Sequence, residues 1–389
     1  MGIKETDQKY IAGTYNRFPV EITHGKGSLV YDENEKEYID MGSGIGVTAF
    51  GIADDIWQKA VIDQIGKVQH MSNLYYTEPC ALLAEKLCEK SGMKKVFFCN
   101  SGAEANECAI KAARKYSAEK KGEDCFTIIT LVNSFHGRTL TTLAATGQEN
   151  FHKLFTPLTP GFVYVEAGDV DGLKKILAET KVAGIMIECV QGEGGVIPLT
   201  DAFVKAVADI AKEQDIPLIV DEVQTGNGRT GKFYSYMHFG IQPDIVSTAK
   251  GLAGGLPIGA TLLGEKVENI FAAGDNGSTF GGNPVSCAAA LSVVSRIDDA
   301  LLQEVEEKSA YIFSELEGAK GVESVTGKGL MIGIKTTRPA ADVLKDCMAE
   351  GVLCLTAKDK IRLLPALNIP MEVLKKAVAV IKEQAGKEA

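Results

Sequence analysis

The chain has 389 residues, of which 45% are hydrophobic and 24% are charged, and its formal net charge is −10 at pH 7. This composition is typical of a globular protein with one large domain or two. The negative charge argues against nucleic acid or an anionic membrane as the main partner, because both are polyanions. No apolar run approaches the roughly 20 residues that a membrane helix needs, so we predict no membrane span.

The cysteines and the first residues both predict a cytoplasmic protein. The chain has nine cysteines, with no C-x-x-C pair, and most lie in apolar surroundings such as residues 97–99. That pattern favours buried, reduced thiols over disulfides. Residues 1–10 are charged and lack the apolar core of a secretory signal. We also predict no metal site.

The N-terminal segment predicts a hairpin and then a glycine-rich loop. Residues 29–32 and 38–41 have the character of strands around a turn at residues 33–35. Residues 42–48 contain too much glycine for regular structure and suit a loop that lies close to a ligand. Residues 79–90 then carry apolar side chains at helical spacing, which predicts a helix.

Short apolar runs, typical of buried strands, alternate with helical patterns in the middle of the chain. The predicted strands are 95–99, 126–132, 161–165, 183–187, 216–220, 244–248 and 259–263, and helices are predicted at 103–120, 169–179 and 201–213. Alternating strands and helices indicate an α/β fold, in which a mostly parallel sheet is covered on both faces.

The chain is predicted to divide into two domains. A large domain of residues 50–285 would carry the seven-stranded, mostly parallel sheet. A smaller α+β domain would combine residues 1–49 with residues 286–389, where a long helix after Pro284, a strand pair at 325–334 and further helices are expected. Open α/β sheets bind ligands at the carboxyl ends of their strands, so we expect the site at that edge of the large domain.

Lys250 and Asp221 each follow a predicted strand at that edge. A lone lysine is usually a surface cation, and an aspartate after a strand often only caps a turn. Lys250, however, is the only charged residue between Ile245 and Gly264. The pair predicts a pyridoxal phosphate site, with Lys250 holding the cofactor as a Schiff base and Asp221 pairing with its pyridine nitrogen.

Two segments are candidates for binding the phosphate. Ser101, Gly102 and Ala103 pass directly from a strand into a helix, where backbone N–H groups and the helix dipole favour an anion. The alternative for this segment is a capping box made by Ser101 and Glu104. Residues 277–284, with the hydroxyls of Ser278 and Thr279, are also compatible with phosphate; the alternative there is a plain glycine turn.

Aromatic and guanidinium groups near predicted strand ends suit a flat cofactor and acidic substrates. Phe135 has the position to stack on a ring, although an aromatic residue after a strand more often belongs to the core. Arg138 and Arg362 are the arginines that we select as carboxylate clamps. Arg362 lies in an otherwise apolar run, where an unpaired charge would be costly.

Residues 226–231 give a competing signal, since they fit the G-x-G-x-x-G pattern and nearly fit a P-loop. The alternative function is therefore a dinucleotide- or nucleotide-binding module. Both patterns require a helix immediately afterwards. Residues 232–240 are rich in aromatic side chains and lack a helical apolar stripe, and a nucleotide site would leave Lys250 without a role.

Taken together, these motifs resemble the class III, pyridoxal-phosphate-dependent aminotransferases of fold type I, and among them most closely the acetylornithine aminotransferases. The matching stretches are residues 69–75, 100–106, 135–139, 191–195, 221–224, 243–259, 277–284 and 361–365. They span nearly the whole chain in the family's order. The resemblance implies a homodimer whose two active sites are shared between the subunits.

The resemblance also implies roles for individual residues. Lys250 would be the cofactor lysine and proton shuttle, Asp221 would pair with the pyridinium, and Gln224 would reach the ring hydroxyl. Gly102 and Ala103 would hold the phosphate next to Ser101, Thr279 would reach it from the other subunit, and Phe135 would stack on the ring. For the substrate, Arg362 would bind the α-carboxylate of glutamate, Arg138 would bind the carboxylate furthest from the reacting carbon, and Glu193 would pair with Arg362 when an ω-amine is bound. Ser278 and Tyr15 are further candidates for substrate contacts.

Three positions depart from the family's pattern. Cys189 stands where the family usually has proline, and residues 50–55 replace a loop in which many members carry a histidine-proline pair. Ile45 stands where ornithine aminotransferases have tyrosine, which favours an acetylated substrate over free ornithine.

The implied reaction is transamination of N2-acetyl-L-ornithine with 2-oxoglutarate to N-acetyl-L-glutamate 5-semialdehyde and L-glutamate, a step of arginine biosynthesis. Succinylornithine, ornithine and 4-aminobutyrate remain alternative substrates, because pocket volume and one or two contacts decide between such amines.

Overall fold

The computed structural model describes residues 2–388. Its strands, in chain order, are β1 (Ile22–Lys26), β2 (Leu29–Asp32), β3 (Glu37–Asp40), β4 (Lys95–Cys99), β5 (Thr127–Leu131), β6 (Phe162–Val165), β7 (Val182–Ile187), β8 (Val190–Gln191), β9 (Ile197–Pro198), β10 (Leu218–Asp221), β11 (Ile245–Thr248), β12 (Gly259–Leu263), β13 (Val322–Lys328), β14 (Met331–Thr336), β15 (Val352–Leu353), β16 (Leu355–Ala357) and β17 (Lys360–Leu363).

The α-helices are α1 (Ile3–Tyr10), α2 (Ser43–Gly46), α3 (Asp55–Ile65), α4 (Glu78–Ser91), α5 (Gly102–Lys121), α6 (Leu140–Ala145), α7 (Glu149–His152), α8 (Val170–Glu179), α9 (Asp201–Glu213), α10 (Pro284–Val294), α11 (Asp299–Leu316), α12 (Ala340–Ala349) and α13 (Met371–Ala385). Short 3₁₀ turns occupy Ser235–Phe239 and Lys250–Leu252.

The predicted seven-stranded sheet is confirmed, in the order β4-β12-β11-β10-β7-β5-β6. Four of its six strand pairs are parallel, and β12 runs antiparallel to its two neighbours, so the sheet is mostly parallel. Every residue of β5, β7, β10, β11 and β12 is buried. Their continuous apolar sequences follow from burial on both faces of the sheet.

Helices cover this sheet because each presents one apolar stripe to it. In α9 the buried residues are Phe203, Val204, Val207, Ile210 and Ala211, which recur at helical spacing on one side. The helix begins at a threonine cap, where Thr200 Oγ1 accepts a hydrogen bond from Phe203 N over 3.3 Å. Helix α9 packs on β7 and β10, and α5 packs across β7, β11 and β12.

Two smaller four-stranded sheets contain residues from the ends of the chain. One has the order β1-β2-β3-β15 and includes the predicted hairpin of β2 and β3. The other has the order β13-β14-β17-β16 and includes the predicted strand pair, β13 and β14. Because β15 pairs with β3, residues from both ends of the chain share one sheet. The domain boundaries at residues 50 and 285 stay a prediction.

Two local predictions need correction. The long helix expected after Pro284 is two helices, α10 and α11, because Asp298 caps a new helix by accepting a hydrogen bond from Leu301 N over 2.9 Å. The loop expected at residues 42–48 contains the distorted turn α2, in which Gly44 and Ile45 have left-handed φ angles of 64° and 67°. Within residues 2–388, no helix combines the length and apolarity needed to cross a membrane.

Candidate active site

A cavity of about 430 Å³ lies at the carboxyl edge of the seven-stranded sheet. Its volume falls within the range of small-molecule sites. Its walls come from the segments that follow β4, β5, β7, β10 and β11, together with residues 255–258. The strand ends at which the sequence predicted a site therefore line this cavity.

Lys250 lies in the wall of this cavity immediately after β11. Its φ of 46° is left-handed, a strained conformation for lysine that is often found at functional sites. Burial lowers the pKa of its amine below the ordinary value, although the nearby charges of Glu193 and Asp221 oppose that shift. A lowered pKa increases the fraction of neutral amine, which is the form that acts as a base or nucleophile.

Asp221 ends β10 with only 3% of its surface exposed. Its Oδ2 accepts hydrogen bonds from His136 Nδ1 and Asn106 Nδ2, each over 2.8 Å, and its Oδ1 accepts one from Val223 N over 2.9 Å. Three donors fix the orientation of this carboxylate. Burial alone would lower the pKa of His136, but the hydrogen bond and charge of Asp221 outweigh it and raise that pKa.

Sequence reasoning missed His136 and Asn106 as site residues. Both are buried and line the cavity. Among residues 2–388, neither His136 Nε2 nor Asn106 Oδ1 has a hydrogen-bond partner. The available signals were a histidine inside the 135–138 motif and an asparagine on the buried face of α5.

Residues 101–104 form a helix cap at the start of α5, and their first backbone N–H groups are also open to an anion. Ser101 Oγ caps the helix by accepting a hydrogen bond from Glu104 N over 3.2 Å. Gly102 and Ala103 occupy the first helical positions, whose N–H groups have no acceptor within the helix, and both line the cavity. A Cβ at Gly102 would lie 2.6 Å from Val223 Cγ1, so glycine is required for this close approach.

Ser278 and Thr279 do not line this cavity within one chain; they line a neighbouring cavity with Asn73 and Cys80. Ser278 Oγ accepts hydrogen bonds from Asn100 Nδ2 over 3.2 Å and from Gly281 N over 2.9 Å. Thr279 is exposed. Its contact with the phosphate of another subunit stays a prediction.

Phe135 and Arg138 both line the cavity. The guanidinium of Arg138 lies 4.4 Å from the ring centroid of Phe151 and 5.6 Å from that of Phe135, within the range of cation–π attraction. Arg138 is exposed, whereas Phe135 is half-buried. A cation is thus held beside the apolar wall, at the solvent side of the cavity.

Arg362, Glu193 and Gln224 form a hydrogen-bonded group beside the cavity, which Gln224 lines. Arg362 Nη1 donates to Glu193 Oε1 over 2.5 Å and to Gln224 Oε1 over 3.1 Å. Gln224 Nε2 donates to Glu193 Oε1 over 3.2 Å. Burial alone would raise the pKa of Glu193, but the charge and hydrogen bond of Arg362 outweigh it and lower that pKa. The two charges therefore balance each other beside the cavity.

Tyr15 and Ile45 do not line the cavity within one chain. Tyr15 is 73% exposed and lies against Arg17, whose guanidinium is 5.4 Å from the ring centroid. Ile45 is 40% exposed, while Val47, two residues later, does line the cavity. Contacts of Tyr15 and Ile45 with a substrate stay predictions.

The two atypical segments have local structural roles. Cys189 is fully buried next to Glu188, and burial raises the pKa of its thiol. In the 50–55 segment, Asp54 caps α3 by accepting a hydrogen bond from Trp57 N over 2.9 Å and forms a salt bridge with Arg296 at 2.7 Å.

Glu188 is a further site residue that sequence reasoning did not select. It is 5% exposed, lines the cavity, and accepts hydrogen bonds from Phe135 N over 2.9 Å and Gly192 N over 3.4 Å. It thus connects the segment that carries Phe135 to the one that carries Glu193. Burial raises the pKa of Glu188 to about 7.

This raised pKa predicts a pH-dependent contribution to stability. The folded pKa of about 7 lies above the ordinary value of 4.5, so protonated Glu188 stabilises the fold fully below pH 4.5 and loses that effect as pH rises through 7. In urea unfolding without added ligand, the free energy of unfolding of the wild type should fall between pH 4.5 and 8 by on the order of 3 kcal/mol more than that of Glu188→Gln. Parallel pH curves for the two proteins would contradict this.

The glycine pattern at residues 226–231 is not followed by an α-helix. The next regular element is the 3₁₀ turn Ser235–Phe239. The nucleotide interpretation therefore lacks the helix N-terminus that both glycine motifs require.

The cavity residues fit the cofactor that the motifs implied. Lys250 and the buried carboxylate of Asp221 both line the cavity. Open backbone N–H groups at the start of α5 suit a phosphate, and Phe135 and Val223 give apolar walls for a flat ring. Lysine, carboxylate, anion site and apolar wall are the groups that pyridoxal phosphate requires.

Comparisons with known proteins show the family of this chain. Residues 10–384 match the model of the class III aminotransferases. Acetylornithine aminotransferase of Haemophilus ducreyi is 51% identical over 98% of both chains. The structure of ornithine aminotransferase from Toxoplasma gondii is similar at a TM-score of 0.94 with 30% identity, over 98% of this chain and 93% of that one. N-acetylornithine aminotransferase from Stenotrophomonas maltophilia gives 0.82 with 32% identity, over 98% and 97%. This chain belongs to the class III aminotransferase family.

Proposed function

We propose that this aminotransferase moves the terminal amino group of N2-acetyl-L-ornithine to 2-oxoglutarate, as a step in arginine biosynthesis. The observation that carries the proposal is the placement of Lys250 and Asp221 in one cavity beside the Arg362–Glu193 pair. The acetylornithine aminotransferase of Haemophilus ducreyi, 51% identical over nearly the whole chain, supports the choice of substrate.

The family depends on pyridoxal phosphate, and the Toxoplasma gondii enzyme holds it, at partial occupancy, in its active site. When bound, this cofactor supplies an electron sink for the electron pair released as a C–H bond next to the amine breaks. Lys250 would be its covalent attachment point, and Gly102 and Ala103 would bind its phosphate. Phe135 would face its ring and Asp221 its pyridine nitrogen.

Lys250 Nζ would remove the proton from the substrate carbon that bears the amine. Burial lowers the pKa of this amine, so the neutral base is more abundant than for an exposed lysine. Asp221 would hold a proton on the pyridine nitrogen, because its carboxylate is buried and fixed by three donors.

The Arg362–Glu193 pair would let one site accept two kinds of substrate. With an ω-amine bound, Glu193 would neutralise Arg362, as it does in the structure. With glutamate or 2-oxoglutarate bound, Glu193 would release Arg362 to bind the α-carboxylate as a planar, bidentate donor. Arg138, exposed at the solvent side of the cavity, would bind the carboxylate furthest from the reacting carbon.

The substrate proposal predicts a ranking of kcat/KM. N2-acetyl-L-ornithine should exceed ornithine and 4-aminobutyrate by about tenfold or more, because a few contacts in the pocket contribute 1–3 kcal/mol each to discrimination. Initial rates with 2-oxoglutarate as acceptor give the comparison, with succinylornithine as the matched acylated control. A higher kcat/KM for free ornithine would overturn the choice of substrate while leaving aminotransferase activity intact.

We further propose a cytoplasmic homodimer built from the two predicted domains. Large apolar side chains are exposed near residue 75: Leu74 at 88%, Tyr75 at 63% and Tyr76 at 106%. Phe280, next to Thr279, is 60% exposed. Exposed apolar patches of this kind are typical of protein interfaces, and a second copy there would place Thr279 at an interface. Light scattering should give twice the mass of one chain.

A further inference from the structure

The segment of residues 226–231 contains a buried arginine that the proposed reaction does not use. Arg229 is only 3% exposed, and burial lowers its pKa to about 9. Among residues 2–388, no carboxylate forms a salt bridge with it. A buried cation without a counter-ion is costly, so its position requires a structural reason.

Arg229 bonds to both chain segments at one end of the strand pair that carries Arg362. Its Nη1 donates hydrogen bonds to the carbonyl oxygens of Leu330, over 3.1 Å, and Pro365, over 2.5 Å. Leu330 directly precedes β14, and Pro365 lies two residues after β17. These strands are antiparallel partners in which Gly333 faces Arg362. One guanidinium therefore fixes the end of the pair that lies next to Arg362.

The backbone of the segment is pressed against the same strand pair. Leu330 N donates a hydrogen bond to Arg229 O over 2.9 Å. At Gly329, where φ is 57°, a Cβ would lie 2.6 Å from Arg229 O and 2.5 Å from the carbonyl carbon of Thr230. Contact this close is possible only with glycine at position 329.

The other side of the segment holds the strand end that carries Lys250. Asn227 Nδ2 donates to Thr248 Oγ1 over 3.0 Å and to Ala249 O over 3.2 Å. Asn227 is 3% exposed, and its partners are the two residues that precede Lys250. Two polar residues of a single turn thus connect the Lys250 strand end to the Arg362 strand pair.

We propose that Arg229 is a positioning residue that sets the distance between the Arg362 guanidinium and the Lys250 amine. This inference rests on the proposed role of Arg362 as the clamp for the α-carboxylate. The distance between carboxylate and reacting carbon is fixed in the substrate, so the distance between the groups that receive them has to be fixed in the protein. A misplacement of about 1 Å in such an arrangement can cost roughly 10²-fold in rate.

The test compares Arg229→Met, which removes the charge and keeps most of the volume, with Arg229→Lys, which keeps the charge. With holoenzyme, calorimetric Kd for glutarate, a dicarboxylate without a reacting group, should rise about tenfold or more in Arg229→Met and less in Arg229→Lys. KM for 2-oxoglutarate should rise in parallel. The absorbance of the bound cofactor should match that of the wild type. The KM for the amino donor should stay within about threefold of the wild type, because the carboxylate of the donor is assigned to Arg138.

Arg338→Met is the matched control, because Arg338 also donates to a backbone carbonyl, that of Gln384, over 2.9 Å, but lies apart from the cavity. It should lower Tm without changing glutarate binding. Unchanged glutarate Kd in both Arg229 variants, with weakened binding in Arg362→Gln, would overturn the role of Arg229 alone. Unchanged binding in Arg362→Gln would overturn the proposed clamp itself. If Arg229→Met does not fold, Arg229→Lys decides between these outcomes.

Discussion

Replacing Lys250 with alanine is expected to lower kcat by roughly 10²–10⁴-fold, the range of effects found when a positioned acid or base is removed. Lys250 is the amine in the cavity wall, its pKa is lowered by burial, and the buried carboxylate of Asp221 lies beside the same cavity. Steady-state kinetics with saturating acetylornithine and 2-oxoglutarate give the comparison.

Two further variants separate charge from proton transfer. Lys250→Arg keeps a positive charge but does not deprotonate near neutral pH, so its kcat should fall about as far as that of the alanine variant. Lys232→Ala is the matched control, because Lys232 is an exposed lysine 18 positions earlier in the chain. Activity of Lys250→Ala within tenfold of the wild type would rule out the assigned role.

Asp221→Asn should have the second-largest effect, a loss of about 10²–10³-fold in kcat. Removing one member of a buried charged pair typically costs 3–5 kcal/mol. The NH₂ of the new amide would also face existing donors: His136 Nδ1 and Asn106 Nδ2 if it takes the place of Oδ2, or Val223 N if it takes the place of Oδ1. Kinetics should be accompanied by the cofactor's absorbance and Kd, since both report on the ring's surroundings.

Asp124→Asn is the control for that change, because Asp124 is an exposed aspartate paired with Lys181. It should leave kcat within about twofold, as exposed ion pairs contribute little. A wild-type kcat in Asp221→Asn, with the cofactor bound, would show that no carboxylate is needed at the pyridine nitrogen.

The fold was predictable from the sequence where local pattern and burial coincide. Each strand of the central sheet is a short apolar run. In a sheet covered by helices on both faces, such a run is expected to be a buried strand. The break between α10 and α11 was missed because it depends on a single capping residue, Asp298. Such a cap competes with the helical pattern that continues on both sides of it.

The position of the site was predictable, but its internal pairing was not. Parallel strands place Asp221 and Lys250 at one edge of the sheet, and that follows from topology. The hydrogen bond between His136 and Asp221, by contrast, joins residues 85 positions apart, and the one between Arg362 and Glu193 joins residues 169 apart. Nothing local in the sequence specifies such partners, because they are set by how the loops pack.

Residues 226–231 show how a local pattern can mislead. The glycine spacing matches a nucleotide fingerprint, but the sequence does not reveal that Asn227 and Arg229 are buried. In the structure Gly228 allows close packing against Leu367, and Gly231 allows close packing against Glu306. The role of the segment therefore depends on Asn227 and Arg229, which hydrogen-bond to the neighbouring strand ends.

The most direct test of the site is to reduce the holoenzyme with borohydride and to map the modified peptide by mass spectrometry. Covalent attachment at Lys250 predicts one pyridoxyl phosphate group on the peptide that contains Lys250. Prior addition of N2-acetyl-L-ornithine without an acceptor should remove most of that label, because the amino group then leaves the substrate for the cofactor. Label on a different lysine, or label at Lys250 that acetylornithine does not diminish, would contradict the proposed function.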